Sequence, residues 1–384
     1  METEKRGVPS KVVSIAEAFS GVPDPRVVGR SKYDLVEMLV LTVCAMVCGV
    51  DDFVGIEAWG IERMDWLRRF LPLSNGIPSH DTLGRLFGLL DRKAVEKSFR
   101  GWVGGVLPGL TEGSVVAIDG KASRRSKNSG QQALHLVSAF ATGARLVLGQ
   151  EACADKSNEL TAIPVLLDAL LLKGVIVTID AMGTHANIAQ AIRDKAADYV
   201  LAVKDNQPRL AESISTFFEI GQAAGWRNTP HTYDEAVEKD HGRLEVRRCW
   251  AFSQLDCLSE PQQWPGLKMF GVIESERTIN GKTSCERRAY IGSVAPDAVL
   301  LGNAVRAHWG IENSVHWCLD VALNDDQMRA RTKNSGANLA IVRRLVLNLF
   351  RLDTSKKKGG IYTRRILAAS SDTYRARLLG LGGI

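Results

Sequence analysis

Cysteine is sparse in this sequence, and its cysteines are scattered along the chain. The 384 residues include seven cysteines, none of which belongs to a C-x-x-C motif. Zinc ribbons and thioredoxin-type redox centres require that spacing, so both classes of protein are excluded. Scattered free thiols are typical of a reducing compartment, and we therefore expect a cytoplasmic protein.

Long apolar runs are also lacking. The longest uncharged apolar run covers residues 38–50, whereas a bilayer crossing needs about 20 residues. The first ten residues, METEKRGVPS, are charged and lack the apolar centre of a signal peptide. We expect no membrane partner, and we predict that residues 38–50 form a buried helix.

Neither sign of charge is in large excess. The formal net charge of +6 is mild for 384 residues, so the distribution of charge matters more than its sum. The hydrophobic fraction of 45% and the charged fraction of 24% are typical of a globular protein. A chain of this length is expected to form two or three domains, or one large domain with insertions.

Hydrophobic periodicity changes along the chain. Residues 1–110 are helical in pattern and predict an N-terminal all-helical domain. Residues 111–352 predict an α/β domain of order β-β-β-α-β-α-β, with a β-rich insertion at about 225–295 and a basic tail at 353–384. The predicted core strands lie at 114–119, 134–141, 145–152, 175–180 and 198–204, and the later helices at 297–322 and 334–352.

The stretch IPSHDTLGRLFGLLD, near the end of the helical region, has two interpretations. Ser79 is a good N-cap residue, and an apolar stripe begins at Leu83. With Arg85 and Arg92 nearby, this pattern is typical of one half of a helix-turn-helix that contacts DNA. An ordinary helical hairpin has the same pattern, so both interpretations remain open.

Two predicted strands end on an aspartate, Asp119 in SVVAID and Asp180 in VIVTID. A three-strand meander followed by a right-handed crossover can place the fourth strand parallel to the first, with both carboxylates at one edge. Neighbouring carboxylates repel each other unless a cation lies between them, and Mg²⁺ prefers such ligands. Alternatively, each aspartate starts a turn, and Asp180 caps the helix predicted near residue 184.

A later helix offers a third carboxylate. In HWGIENSVHW, His308, Glu312 and His316 are spaced four residues apart, so a regular helix places them on one face. The stretch is a metal site of its own, one arm of a distributed site, or a packed helix with polar neighbours. We expect Trp309 and Trp317 to pack this helix against the sheet.

Several stretches together resemble the DDE transposases of bacterial insertion sequences, of the type called H-repeat-associated proteins. They run in family order from about residue 20 to 350, as PDPRVVGR…LVLTVCAMVCG, IPSHDTLGRLF, VVAIDGKASRRS, DKSNELTAIPVLL, VTIDAMGTHANIAQAI, YVLAVKDNQP, HGRLEVR and RAHWGIENSVHWCLDVALNDD. The resemblance implies an RNase H-like mixed sheet flanked by helices, with a β-rich insertion before the last catalytic helix.

The resemblance also implies a catalytic triad of Asp119, Asp180 and Glu312 that binds two Mg²⁺ ions, for which Mn²⁺ can substitute. The implied activity is cleavage of phosphodiester bonds at insertion-sequence ends and their joining to target DNA. The implied partners are double-stranded DNA and a second copy in a homodimer, at the bacterial nucleoid. Two alternatives stay open: a catalytically silent transposase-derived DNA-binding protein, and a metal-dependent nuclease without transposition.

This sequence departs from related transposases around the glutamate. They carry Tyr, Arg and Lys where Val305, His308 and Leu319 stand here, so we expect Arg306, His308 and His316 to contact phosphates or support the site instead. Other expected DNA contacts are basic or amide side chains beside the acids and in the insertion. They are Lys121, Arg124, Arg125, Lys204, Asn206, Gln207 and Arg243.

The strongest predicted basic patch lies at 343–377, which holds ten Lys or Arg residues. Two of them, Arg343 and Arg344, stand on an otherwise apolar helix. We expect these two arginines on its solvent-facing side.

Overall fold

Helical patterns in the first hundred residues produce six helices in the part of the chain that the computed structural model describes, namely residues 15–27, 29, 31–127, 132–153, 159–240, 243–355 and 359–381. Asp34 and Ser79 cap two of them by accepting a hydrogen bond from a backbone N–H three residues later. The predicted Ser79 cap is thereby confirmed. The predicted buried helix is confirmed as well, because residues 38–47 are helical and buried. The helices are α1 (Ile15–Ser20), α2 (Leu35–Val47), α3 (Phe53–Glu62), α4 (Met64–Leu67), α5 (His80–Leu89) and α6 (Arg92–Val106).

The described strands are β1 (Val115–Ser123), β2 (Leu134–Ala141), β3 (Leu146–Cys153), β4 (Ile176–Ile179), β5 (Asp198–Val203), β6 (His231–Asp240), β7 (Arg243–Phe252), β8 (Met269–Ile279) and β9 (Lys282–Gly292). They form one sheet in the order β3-β2-β1-β4-β5-β9-β8-β7-β6. β1, β2 and β3 are antiparallel neighbours, β4 lies parallel beside β1, and β5 lies parallel beside β4. The predicted meander and parallel fourth strand are confirmed.

The remaining helices flank this sheet, which confirms the predicted mixed α/β architecture. They are α7 (Glu159–Asp168), α8 (Ala186–Asp194), α9 (Pro208–Ala223), α10 (Ala298–Ile311), α11 (Trp317–Leu323), α12 (Ser335–Leu352), α13 (Ile361–Ser370) and α14 (Asp372–Leu378). Among the described helices, none combines the length and hydrophobicity that a membrane crossing requires. The sequence patterns did not predict α9, although Leu210, Ile214 and Phe218 repeat at the four-residue spacing of a buried stripe.

The later strands extend the core sheet. β9 pairs antiparallel with β5, and β8, β7 and β6 follow it as antiparallel neighbours. Phe217 of α9 packs its ring 5.2 Å from the rings of both Phe252 and Phe270. Aromatic packing therefore fixes α9 on these strands, and β9 forms a wall beside the end of β5.

The predicted solvent-facing position of Arg343 and Arg344 is wrong. α12 packs among α5, α6 and β3, and both arginines are at most 1% exposed. Arg343 Nη1 lies 3.8 Å from a carboxylate oxygen of Asp325, and Arg365 of α13 pairs with Asp51 at 2.6 Å. The patch at 343–377 thus contains buried, paired arginines, and its lysines at 356–358 lie outside the described residues.

Glu96 of α6 links the N-terminal helices to the sheet. Its side chain is buried, and Oε1 accepts a hydrogen bond from the Gln150 backbone N–H of β3 at 2.9 Å. Burial raises the pKa of Glu96 from 4.5 to about 7, while the Gln150 hydrogen bond and Arg100 act in the opposite direction. Glu96 is therefore a buried acid that holds its proton near neutral pH.

We predict that Glu96→Gln removes part of the pH dependence of stability. The pKa of Glu96 is about 7 in the folded chain against 4.5 ordinarily, so its contribution to stability is full below pH 4.5 and falls as the pH rises to 7. The loss is at most about 3 kcal/mol. The difference in melting temperature, wild type minus variant, should be larger at pH 5 than at pH 8. The exposed Glu62→Gln is the control, and an equal difference at both pH values would contradict the prediction.

Candidate active site

Strand pairing brings the two predicted aspartates side by side. Ile118 of β1 lies opposite Ile179 of β4, so the next residues, Asp119 and Asp180, are neighbours at the point where β4 ends. The prediction that the first strand ends on Asp119 is wrong, because β1 continues to Ser123 and Asp119 pairs with Ser138 of β2. Both line one cleft of about 560 Å³. Asp180 also accepts a hydrogen bond from the Gly183 backbone N–H at 3.3 Å, which caps a short 3₁₀ helix. Asp180 therefore both caps this 3₁₀ helix and lies near Asp119.

Glu312 approaches the aspartates from the end of α10. The chain changes there from α-helix to a π-helical turn, Glu312–His316, before α11 begins. Such turns are rare and frequently occur at functional positions. His316 Nδ1 lies 2.8 Å from Glu312 Oε2 and 3.6 Å from Asp119 Oδ2. Possible metal-ligand atoms of Asp119, Glu312 and His316 all lie within 4.8 Å of one another.

The π-helical turn separates the two histidines that a regular helix would align. His308 points at the sheet, where its Nδ1 lies 3.0 Å from Thr178 Oγ1 of β4. His316 is 4% exposed, so the structure does not place it where it could contact a DNA phosphate. The grouped side chains are those of Asp119, Glu312 and His316. HWGIENSVHW therefore supplies one arm of a distributed site and no self-contained His-Glu-His centre.

The predicted packing of the two tryptophans is wrong. Trp309 and Trp317 are 44% and 59% exposed, whereas Ile311 and Val315 face the core. The Arg288 guanidinium of β9 lies over the Trp309 ring, 4.6 Å from its centroid. Trp309 thus belongs to the wall of the cleft.

Burial and mutual repulsion set the charges of the acids. Burial raises the pKa of Asp119 to about 6; His316 opposes this shift, while Asp180 and Glu312 add to it. The hydrogen bond from His316 lowers the pKa of Glu312, although burial acts in the opposite direction. Asp119 is thus a carboxylate whose negative charge is destabilised by its surroundings.

A divalent cation fits this arrangement. A cation bound between Asp119 and its two acidic neighbours would relieve the repulsion that raises the pKa of Asp119. The carboxylate oxygens of Asp119 and Glu312 are ligands that Mg²⁺ prefers, and Asp180 lines the same cleft. These three acids are the residues that could hold the metal, with His316 beside them.

The exposed cations of the site come from three elements. Arg124 and Arg125 follow β1 and are exposed, as is Lys204 after β5. Lys204 lines the cleft together with Arg287 and Arg288 of β9, which pair with Glu274 at 2.7 Å and with Glu286 at 2.9 Å. The two β9 arginines were not among the predicted contacts, although the strand-like run RRAYIGS contains both.

Other predicted DNA contacts are engaged within the protein. Asn206 and Gln207 donate side-chain hydrogen bonds to the Thr184 carbonyl and brace the loop after Asp180. Arg243 pairs with Glu245 at 3.3 Å, and Arg306 with Glu238 at 2.7 Å. Lys121 is 9% exposed and pairs with Asp320 at 2.6 Å. The structure does not place the Lys121 ammonium at the surface.

Gly120, next to Asp119, packs against a buried pair that was not predicted. His135 of β2 and Glu159 of α7 are hydrogen-bonded to each other, and each is 5% exposed. A Cβ on Gly120 would lie 2.7 Å from His135 Nε2 and would overlap the Glu159 carboxylate. The backbone at Asp119 can approach this pair only because residue 120 has no side chain.

Comparisons with known proteins identify the family to which the chain is similar. Residues 110–349 match the family model described as "Transposase DDE domain", and residues 16–103 match one described as "DDE_Tnp_1-associated". The "Putative transposase YncI" of Escherichia coli O157:H7 is 38% identical over 374 residues, 96% of this chain and 95% of its own. The "H repeat-associated putative transposase YhhI" of Escherichia coli K12 is 34% identical over 96% of this chain and 98% of its own. A shorter relative from the same strain, "Inactive transposase YbfQ", is 35% identical over 72 residues, 19% of this chain and 86% of its own.

We predict that Gly120→Ala destabilises the fold by about 1–3 kcal/mol, because the added methyl group overpacks a buried site. Chemical unfolding measures this loss. The control is Gly143→Ala, whose Cβ would meet nothing within 4 Å. Equal stability of the two variants would contradict the predicted close approach at Gly120.

Proposed function

Because the chain belongs to the family of DDE transposases, we propose that it cleaves phosphodiester bonds at insertion-sequence ends and joins them to target DNA. The observation that carries the proposal is the meeting of Asp119, Asp180 and Glu312 in one cleft, from two parallel strands and a helix. Lys204 lines the same cleft, and its positive charge suits a phosphate backbone.

The triad is the proposed binding site for two Mg²⁺ ions, and Mn²⁺, which accepts the same ligands, should substitute. When bound, such ions lower the pKa of the attacking water or 3′-hydroxyl and stabilise the leaving oxygen. The chain's own contribution is orientation. The Gly120 backbone N–H donates to Asp119 Oδ1 at 2.8 Å, and His316 holds Glu312 at 2.8 Å.

Double-stranded DNA is the proposed partner. Arg124 and Arg125 are exposed just beyond β1, so they would extend the positive surface away from the cleft cations. Joining both ends of an element requires two sites held on paired ends, and we therefore propose a homodimer on the DNA. Binding of this kind would associate the protein with the bacterial nucleoid.

Incubation of the purified protein with end-containing DNA and Mg²⁺ tests the function. Cleaved ends and joined products are expected. Tight binding without any cleavage would overturn the proposal in favour of a catalytically silent transposase-derived DNA-binding protein. Cleaved products that are never joined would indicate a metal-dependent nuclease.

We predict that Asp119→Asn, Asp180→Asn and Glu312→Gln each slow cleavage at least about a thousandfold, equivalent to about 4 kcal/mol of barrier. The affinity for end DNA should change little, because the acids do not bind the phosphate backbone directly. Cleavage kinetics and filter binding measure the two quantities. Arg306→Gln, which alters an exposed pair with Glu238, is the control. Normal turnover in any one triad variant would refute that assignment.

We predict that DNA binding weakens steeply with salt and that Lys204→Met reduces the slope of log K against log[salt] by about one. Lys204 is exposed and lines the cleft, so it should neutralise one phosphate. Lys268→Met, an exposed lysine just before β8, is the matched control and should leave the slope unchanged. A slope that is the same in both variants would exclude Lys204 as a backbone contact.

A further inference from the structure

Lys121 follows Asp119 by two residues on β1, so both side chains belong to the same face of the strand. Its ammonium contacts carboxylates from the segment after the π-helical turn. Nζ lies 2.6 Å from Asp320 Oδ1, 3.2 Å from Asp326 Oδ1 and 3.7 Å from Asp325 Oδ2. A lysine enclosed by three carboxylates is held inside the protein and is not presented to DNA.

Two side-chain contacts join β1 to the segment Glu312–Leu323, and they lie two residues apart on the strand and four residues apart on the segment. Asp119 meets His316 at 3.6 Å, and Lys121 meets Asp320 at 2.6 Å. Two residues along a strand advance about 6.6 Å, and four residues along a helix advance about 6 Å. The spacings match, so the strand and the segment lie in parallel with a fixed register.

Glu312 depends on that register. It stands in the π-helical turn, and its carboxylate accepts from His316 at 2.8 Å. A π-helical turn is a rare conformation, and two contacts with β1 flank this one. The contact of His316 with Asp119 supports it at one level, and the contact of Asp320 with Lys121 supports it one turn later.

Surrounding charges hold Lys121 itself in place. Asp325 is fully buried and accepts a hydrogen bond from Ser123 Oγ at 2.9 Å, with Arg343 3.8 Å away. Asp326 accepts from the Arg124 backbone N–H at 3.2 Å. Buried ion pairs of this kind contribute less to net stability than their Coulomb attraction suggests. Their clearer consequence here is the position of the groups they connect.

We infer that Lys121 is a positioning residue, which sets the register of the Glu312-bearing segment against Asp119 through its pair with Asp320. This inference extends the proposed function, and its expected effect on the rate of cleavage rests on that proposed function. The geometric consequence, a preformed ligand set for a divalent cation, can be measured without any DNA.

Two variants test the pair from opposite sides. Lys121→Met removes the ammonium, and Asp320→Asn removes one carboxylate while leaving Lys121 with Asp325 and Asp326. Asp320→Asn keeps the inference testable if Lys121→Met fails to fold. Lys268→Met is the matched control, because Lys268 is an exposed lysine just before β8. Three quantities are measured on each full-length variant: Mn²⁺ binding to DNA-free protein by EPR, kcat and KM for end cleavage, and DNA affinity against salt.

Both Lys121→Met and Asp320→Asn should weaken Mn²⁺ binding and lower kcat by about 10–100-fold, as loss of a ligand-supporting partner does. KM for DNA and the salt slope should stay at the wild-type values, and Lys268→Met should leave Mn²⁺ binding and kcat unchanged. This division between kcat and KM separates positioning from general destabilisation.

Normal Mn²⁺ binding and normal kcat in folded Asp320→Asn would overturn the inference. A second result would also overturn it, namely a slope of log K for DNA against log[salt] that falls by about one in Lys121→Met, while Asp320→Asn behaves as the wild type. Lys121 would then be a phosphate contact. If the wild type cleaves no end DNA, the proposed function fails while the Mn²⁺ measurement still decides the role of Lys121. A wild type that binds no Mn²⁺ without DNA would overturn the inference, whereas cleavage and joining of end DNA still decide the proposed function.

Discussion

The parallel pairing of β1 with β4 is the constraint on which the candidate site depends. Ile118 lies opposite Ile179, and this places Asp119 beside Asp180 at the point where β4 ends. A slip of one residue would turn a carboxylate to the opposite face. Because the residues before each aspartate are buried apolar side chains, the hydrophobic effect that forms the core also sets the spacing of the acids.

This arrangement concentrates negative charge at Asp119, Asp180 and Glu312. His316, in the π-helical turn, compensates for that charge only in part. Burial raises the pKa of Asp119, and its two acidic neighbours add to the shift. His316 contacts both Asp119 and Glu312, while Lys121 occupies the next level against Asp320. The remaining repulsion would be relieved by a divalent cation, so the fold supplies candidate ligands together with an electrostatic reason to bind one.

Strands and helices were more predictable than the partners of charged side chains. The meander, the parallel fourth strand and the buried α2 follow from hydrophobic periodicity, which is a local property. Basic side chains behave differently. Lys121 meets Asp326, 205 residues further along the chain, and Arg344 meets Ser138 across 206 residues. Local sequence cannot reveal such partners, so buried arginines were predicted to face solvent.

By itself, the sequence determined the order of the core strands and identified Asp119, Asp180 and Glu312 as candidate acids, because periodicity and motif order are carried by neighbouring residues. Only the tertiary structure decided which cations face the cleft and that His316, instead of His308, meets Glu312. The physical reason is that a π-helical turn and a buried ion pair are stabilised by contacts between segments far apart in the chain. Regular helical spacing predicts neither of them.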